Sequence, residues 1–334
     1  MSTAIEEYHA SGAPLALGDI TGHDRPLILR GLCRDWPLVR LAGESDTAFA
    51  HQLASWDTGA DVNVLRLPPA EGGMLGYDAA CERFNHERYQ VSLTQALQRL
   101  AAYSRQSDPP GLALQSALIS ACIPGFLDQH GLSVLGPEVQ PRLWIGNRVT
   151  TPAHFDEYRN IACVVCGSRR FTLFPSAQVR NLYVGPLDFA PTGTAISMAR
   201  LDQLDDPRFP RLREAMLHAQ VAELLPGDAI YIPPMWWHHV ASLQQINALV
   251  NYWWIPGIDR GRATPSGLDG LLHCVLSFKS LDPADRAAWR GLLDHYVFGE
   301  EDPAAHIPEH ARGVLGPLTP ERVEQLKEMI RRNL

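Results

Sequence analysis

Residues 142–256 predict a mainly β fold, an all-β barrel or jelly roll, and three observations carry that reading. Short runs of β-branched and aromatic residues recur along the stretch. Gly, Pro and Asp punctuate them at short intervals. The flanks differ in texture, mixed before residue 142 and helically periodic after Gly257.

Taken in chain order, residues 26–32 (PLILRGL) form a short extended run closed by Asp35-Trp36-Pro37. Residues 92–103 place Leu93, Leu97 and Leu100 at helical spacing, with Ser92 positioned to cap them. The strands expected next are 142–145, 153–156, 161–166, 170–174, 229–232, 238–243 and 248–255. Gly167-Ser168 and Pro233-Pro234 serve as turns. Beyond Gly257, Leu268, Leu271, Leu272, Val275 and Leu276 make one apolar stripe. Asp282-Pro283 opens a helix carrying Trp289, Leu292, Leu293, Tyr296 and Val297, which Gly299 stops. Thr319-Pro320 opens a last helix with Val323, Leu326, Met329 and Ile330. The expected division is a catalytic domain over 1–256, with its barrel core at about 142–256, and a helical extension over 257–334. Stripes this apolar must cover the chain's own barrel or a second subunit.

Bulk composition narrows the function. Of 334 residues, 46% are apolar and 20% charged, which fits a globular protein and excludes wholesale disorder. A net charge of −8 sets the mean field against a nucleic-acid partner. No apolar run approaches the eighteen or so residues of a membrane helix, and residues 1–7 lack a secretion signature, so a cytoplasmic location is expected. Six scattered cysteines in that setting are expected to be reduced and structural. For Cys163 and Cys166, strand positions three apart face opposite sides, which denies them joint chelation.

The sharpest local pattern is Thr151-Pro152-Ala153-His154-Phe155-Asp156. With a side-chain period of two, His154 and Asp156 project to one face of a strand and Phe155 to the other. A non-haem Fe(II) facial triad needs one more histidine on that face. Trp236-Trp237-His238-His239, after a Gly227-Asp228 turn and a Pro233-Pro234 turn, supplies two candidates. Periodicity lets only one of the two point inward and does not say which. A 2-oxoglutarate cosubstrate, chelated through its 2-oxo and C1 carboxylate groups, needs a cation for its C5 carboxylate. Arg169 and Arg170 follow the turn, and one of them can face in. Thr151 and Asn160 are near enough in sequence to add hydrogen bonds, and Asn251 offers an inward polar group on an otherwise apolar strand.

On these residues the chain resembles the JmjC-related, cupin-like Fe(II)/2-oxoglutarate hydroxylases, and within them the branch of the asparaginyl hydroxylase acting on hypoxia-inducible factor. The likeness runs from residues 26–31 and 35–37, through 151–175, to 231–254. It implies a double-stranded β-helix, with iron on His154, Asp156 and His238. It also implies 2-oxoglutarate on Arg169, where the hypoxia enzyme has Lys, with Thr151, Asn160 and Asn251 alongside. A cosubstrate-binding tyrosine of that enzyme aligns near Ala113, and its substrate-positioning Arg-Gln pair near Ser197-Met198, so neither is kept. The activity implied is hydroxylation of an unactivated C–H bond, on a protein or peptide side chain, with decarboxylation to succinate. Trp237 and Trp253 are expected to wall the pocket, and the C-terminal helices to pair two subunits. The rivals are a small-molecule or tRNA-base hydroxylase of the same mechanism and a cupin-like binding protein without turnover.

Overall fold

The computed structural model describes residues 4–9, 16–191, 193–255 and 266–332. The chain divides into two compact units, residues 1–255 and 256–334. The expected boundary at 256/257 lies outside the described residues.

In the first unit the strands are β1 (Glu6–His9), β2 (Leu27–Arg30), β3 (Val62–Leu67), β4 (Glu87–Val91), β5 (Gly111–Leu118), β6 (Pro141–Gly146) and β7 (Thr150–His154). They continue with β8 (Arg159–Cys166), β9 (Arg169–Phe174), β10 (Gln220–Leu224), β11 (Ala229–Ile232), β12 (Trp237–Ser242) and β13 (Asn247–Trp254). A nine-stranded sheet runs β1-β2-β11-β8-β13-β6-β5-β3-β4, and a four-stranded sheet runs β10-β9-β12-β7. Two sheets with flanking helices are the jelly roll that the sequence predicts. The first third contributes more than expected: β1 to β5 all join the larger sheet, β2 beside β11 and β5 beside β6.

Three apolar layers follow from the sheets' two-faced strands. Between the sheets lie Ile28, Val164, Phe171, Leu173, Ile230, Ile232 and their neighbours. The outer face of the larger sheet is covered by α1 (Leu17–Thr21), α2 (Pro37–Glu44), α3 (Asp46–Trp56) and α4 (Leu93–Tyr103), and this is the main core. Pro37 takes the first turn of α2. Ser92 caps α4 in a reciprocal box with Gln95. The short α5 (Ile119–Cys122) completes that layer. Over the outer face of the smaller sheet, Leu182, Ala199 and Leu212 of α6 (Leu212–Leu217) pack on Ala153, Phe174 and Trp237.

Local chemistry explains the turns. Gly167 sits at φ +71°, and an added Cβ would lie 2.4 Å from the Ile246 carbonyl oxygen, so only glycine fits between β8 and β9. Asp228 accepts from the Gly31 N–H at 3.0 Å and from Arg30 Nη1 at 2.8 Å, tying the turn before β11 to β2.

Cys163 and Cys166 overturn one expectation. Both are buried in the same main core, because a bulge in the β8–β13 pairing between Ala248 and Leu249 shifts the alternation by one. Neither thiol is in a disulfide, and burial raises both above the usual thiol value, Cys166 to about 12.

The second unit is helical: α7 (Gly267–Phe278), α8 (Pro283–Leu293), a π-turn over Asp294–Phe298, and α9 (Pro320–Arg332). Ser266 caps α7, and Gly299 follows the π-turn. None of the three helices contains a buried residue, and Leu276, Val297 and Phe298 are 70%, 61% and 73% exposed. No helix among the described residues is long and apolar enough to cross a membrane.

Candidate metal centre

His154 on β7 and His238 on β12 are direct antiparallel partners, and their rings lie 4.1 Å apart between centroids. Asp156 follows two residues beyond the end of β7 rather than inside the strand as expected. Its backbone oxygen accepts from the Met235 N–H at 2.8 Å, so the loop after Pro233-Pro234 holds it in place. One nitrogen of each histidine and one carboxylate oxygen of Asp156 all fall within 4.8 Å of one another. This is the only such group of three His, Cys, Asp or Glu ligands among the described residues.

Hydrogen bonds orient the donors. His154 Nδ1 lies 2.9 Å from the Pro152 carbonyl oxygen, and His238 Nδ1 lies 3.0 Å from that of Trp236. Each pairing places a proton on Nδ1 and leaves the Nε2 lone pair for a metal. Trp253 Nε1 donates to Asp156 Oδ2 at 3.1 Å, and His238 Nε2 lies 3.5 Å from the same oxygen. Burial, and then the neighbouring His238, lower His154 to about 4, so it is neutral at pH 7. Burial pushes Asp156 up, but His238, His154 and the Trp253 N–H outweigh it and leave the carboxyl below its usual value. Two imidazoles and a carboxylate on one side of a cavity are a donor set that fits Fe(II).

The cavity, about 80 Å³ between the two sheets, is lined by this group together with Thr151, Asn160, Arg169, Asn251 and Trp253. Thr151 and His154 share a face although three residues apart. The β7–β12 register shifts between His238 and Val240, so that Pro152 and Ala153 together face His239 alone. Of the two arginines, Arg169 faces the cavity. Arg170 points outward and binds Glu223 at 2.8 Å through Nε. Arg169 has no carboxylate within 4 Å among the described residues, and its Nε is buried without a hydrogen-bond partner. Burial lowers it to about 10, which leaves it charged at neutral pH.

Trp237 does not wall this cavity. Being one residue before His238, it faces the other side of β12, where it meets Phe155 edge-on at 5.0 Å in the outer layer. Its place is taken by Trp144, which donates to Asn251 Oδ1 at 2.8 Å and stands edge-on to Trp253. Gln115, two residues after Ala113, also lines the cavity. Neither stood out in the sequence, since Trp144 lies between Leu143 and Ile145, and a strand apolar on both faces shows no alternation. Ser197 runs beside β7, donating its N–H to the Ala153 oxygen, outside this cavity.

The profile of the cupin-like domain family matches residues 14–260. The chain belongs to this family. Among its JmjC relatives, Jumonji C domain-containing protein 5 of Drosophila melanogaster is 34% identical over 117 residues, 35% of this chain and 28% of that protein. HSPB1-associated protein 1 of Homo sapiens is 30% identical over 149 residues, 44% of this chain and 30% of the relative. Lysine-specific demethylase JMJ30 of Arabidopsis thaliana is 28% identical over 244 residues, 68% of this chain and 53% of the relative. The chain thus spans about half or less of these relatives. None of the three is an asparaginyl hydroxylase by name, so the placement holds at the level of the cupin-like, JmjC-containing family. That family uses Fe(II) and 2-oxoglutarate, and His154, Asp156 and His238 form a group that could bind the metal.

Proposed function

We propose that this cupin-like chain is an Fe(II)- and 2-oxoglutarate-dependent oxygenase that hydroxylates a side chain of a protein or peptide, releasing succinate and CO2. The observation that carries the reading is Arg169: a charged guanidinium without a carboxylate partner among the described residues, in the same cavity as the two-His, one-Asp group. A buried cation in that position calls for an anion, and a dicarboxylate cosubstrate brings one.

Bound together, Fe(II), 2-oxoglutarate and O2 supply an oxidant able to break an unactivated C–H bond. The residues do the placing. Arg169 receives the far carboxylate, with the Thr151 hydroxyl and the Asn160 amide beside it. Asn251 is turned by Trp144 so that its amide nitrogen faces Asn160 Oδ1 at 3.4 Å, holding that amide in one orientation. Trp253 holds Asp156, and Phe171, Val240 and Leu249 keep that end of the cavity dry.

The names of two Arabidopsis relatives, lysine-specific demethylases JMJ30 and JMJ31, favour a protein substrate over a free metabolite. In the same reading residues 257–334 are a dimerisation unit. Its apolar side chains are each worth roughly 1.5–3 kcal/mol when buried, and a second copy would cover them. Succinate formation with Fe(II) and 2-oxoglutarate tests the activity. A gain of one oxygen on a peptide tests the substrate class. Absence of both, with iron and 2-oxoglutarate bound, would leave a binding protein.

A further inference from the structure

A second cavity, of about 240 Å³, lies behind the smaller sheet, on the face of β12 opposite the metal centre. His239 lines it, and neither of its buried ring nitrogens has a hydrogen-bond partner among the described residues. Leaving a buried polar atom unpaired is unfavourable, so this imidazole is a place where a ligand's hydrogen bond would be felt.

The charges around the cavity select the ligand's sign. Arg200 on its wall is bound by Asp202, Nε to Oδ1 at 3.0 Å and Nη2 to Oδ2 at 2.9 Å. Arg208 is held the same way by Asp206, with Nη2 to Oδ2 at 2.6 Å. Both guanidiniums are neutralised by their own aspartates. Glu71 and Asp78, also on the wall, remain in excess: Glu71 accepts from the uncharged Asn85 amide at 2.7 Å and adds its charge to that of Asp202, which already pairs Arg200. Tyr77 and Phe209 also line this wall, and the Arg208 guanidinium lies 5.1 Å over the Phe209 ring. Carboxylates in excess, aromatic side chains and an unpaired imidazole suit an organic cation with N–H or N–CH₃ groups.

We infer that this cavity is a second ligand site that takes an alkylammonium group. The site is separate from the metal centre, since His238 and His239 project to opposite faces of β12, and it stands whether or not the chain is an oxygenase.

The test uses the full chain and simple probes: n-butylammonium and butyltrimethylammonium, against 1-butanol and butyrate. Calorimetry should show both cations saturating the wild type, with 1-butanol and butyrate failing over the same range. The double variant Glu71→Gln/Asp78→Asn should bind the cations at least tenfold more weakly. In wild-type chain labelled with ¹⁵N-histidine, the His239 ring signals should shift on titration, a readout that requires no variant to fold. Iron binding should not change when the cation is added. No saturation by either cation, equal binding of 1-butanol, or unmoved His239 signals would each overturn the inference.

Discussion

Trp253 and Asp156 are joined across the cavity by one hydrogen bond, indole N–H to Oδ2 at 3.1 Å, and that bond occupies one of the carboxylate's two oxygens. Trp253→Phe keeps the ring's bulk and removes the donor. The Asp156 carboxyl should titrate higher, because one of the groups holding it down is gone. Iron affinity should fall by about 10–100-fold, the usual cost of losing a partner that orients a metal ligand. Metal titration of the variant checks this.

Arg169→Ala should weaken 2-oxoglutarate binding by about 2–4 kcal/mol, roughly 30- to 1000-fold, with little change in iron affinity. Arg170→Ala, which breaks only the exposed pair with Glu223, should cost under about 1 kcal/mol of stability and leave cosubstrate affinity alone. Measuring 2-oxoglutarate affinity for both variants decides which arginine carries the anion.

His238→Ala should abolish Fe(II)-dependent succinate production and strip the protein of iron, since two ligands of three remain. His239→Ala should retain iron. Metal content of the two purified variants is the measurement, and the reverse pattern would displace the ligand set by one residue.

Full-length chain in light scattering should give about twice its 37.0 kDa mass. Replacing Leu276, Val297 and Phe298 with polar residues should halve that value. A monomeric wild type at micromolar concentration would show that the C-terminal helices do not pair.

Stability should fall on acidification below about pH 6.5. His130 is buried, accepting the Leu38 N–H at Nε2 (3.0 Å), with Nδ1 2.7 Å from the Phe126 carbonyl oxygen, and burial lowers its pKa. His86 is lowered to about 4, by burial and then by Arg88. Between those values and the unfolded histidine value of about 6.5, the unfolded chain binds more protons than the folded one. Folding is therefore favoured more as pH rises through this window, and the gain is complete above it. Urea midpoints at pH 5 and 7.5 should differ in that direction, with a smaller difference in His130→Gln.

How much of this was legible beforehand depends on how local each determinant is. The seven barrel strands, the Gly167 turn and the Ser92 cap follow from period, backbone conformation and side-chain hydrogen bonds within a few residues. The strands β3, β4 and β5 were missed because nothing local marks their pairing: β5 joins β6 across more than twenty residues, β3 joins β5, and β4 joins β3. Trp237 was misplaced because two adjacent tryptophans look alike until the register of β12 is known. Bulges defeated the alternation rule twice, at Cys163 and Cys166 and at Thr151 and His154, since one extra residue inverts every face assignment on one side of it. His154 and Asp156 could be read as a pair from their spacing. Which histidine of the second pair joins them took a resemblance, and their convergence took the β7–β12 pairing.

The extra residue in β7 also makes chain length a determinant of the site in its own right. Two residues stand where the neighbouring strand has one, so removing either Pro152 or Ala153 would restore a regular ladder. Thr151 would then stand two residues from His154 and stay on its face, whereas the same residues drawn into a regular ladder with no deletion would turn the Thr151 hydroxyl out of the cavity while every lining residue kept its identity. A comparison that scores only which amino acids are present would rate such a chain intact. Alignments across relatives should therefore weigh the bulge together with the count of residues between Thr151 and His154, since two residues with the bulge and one without it present the same face.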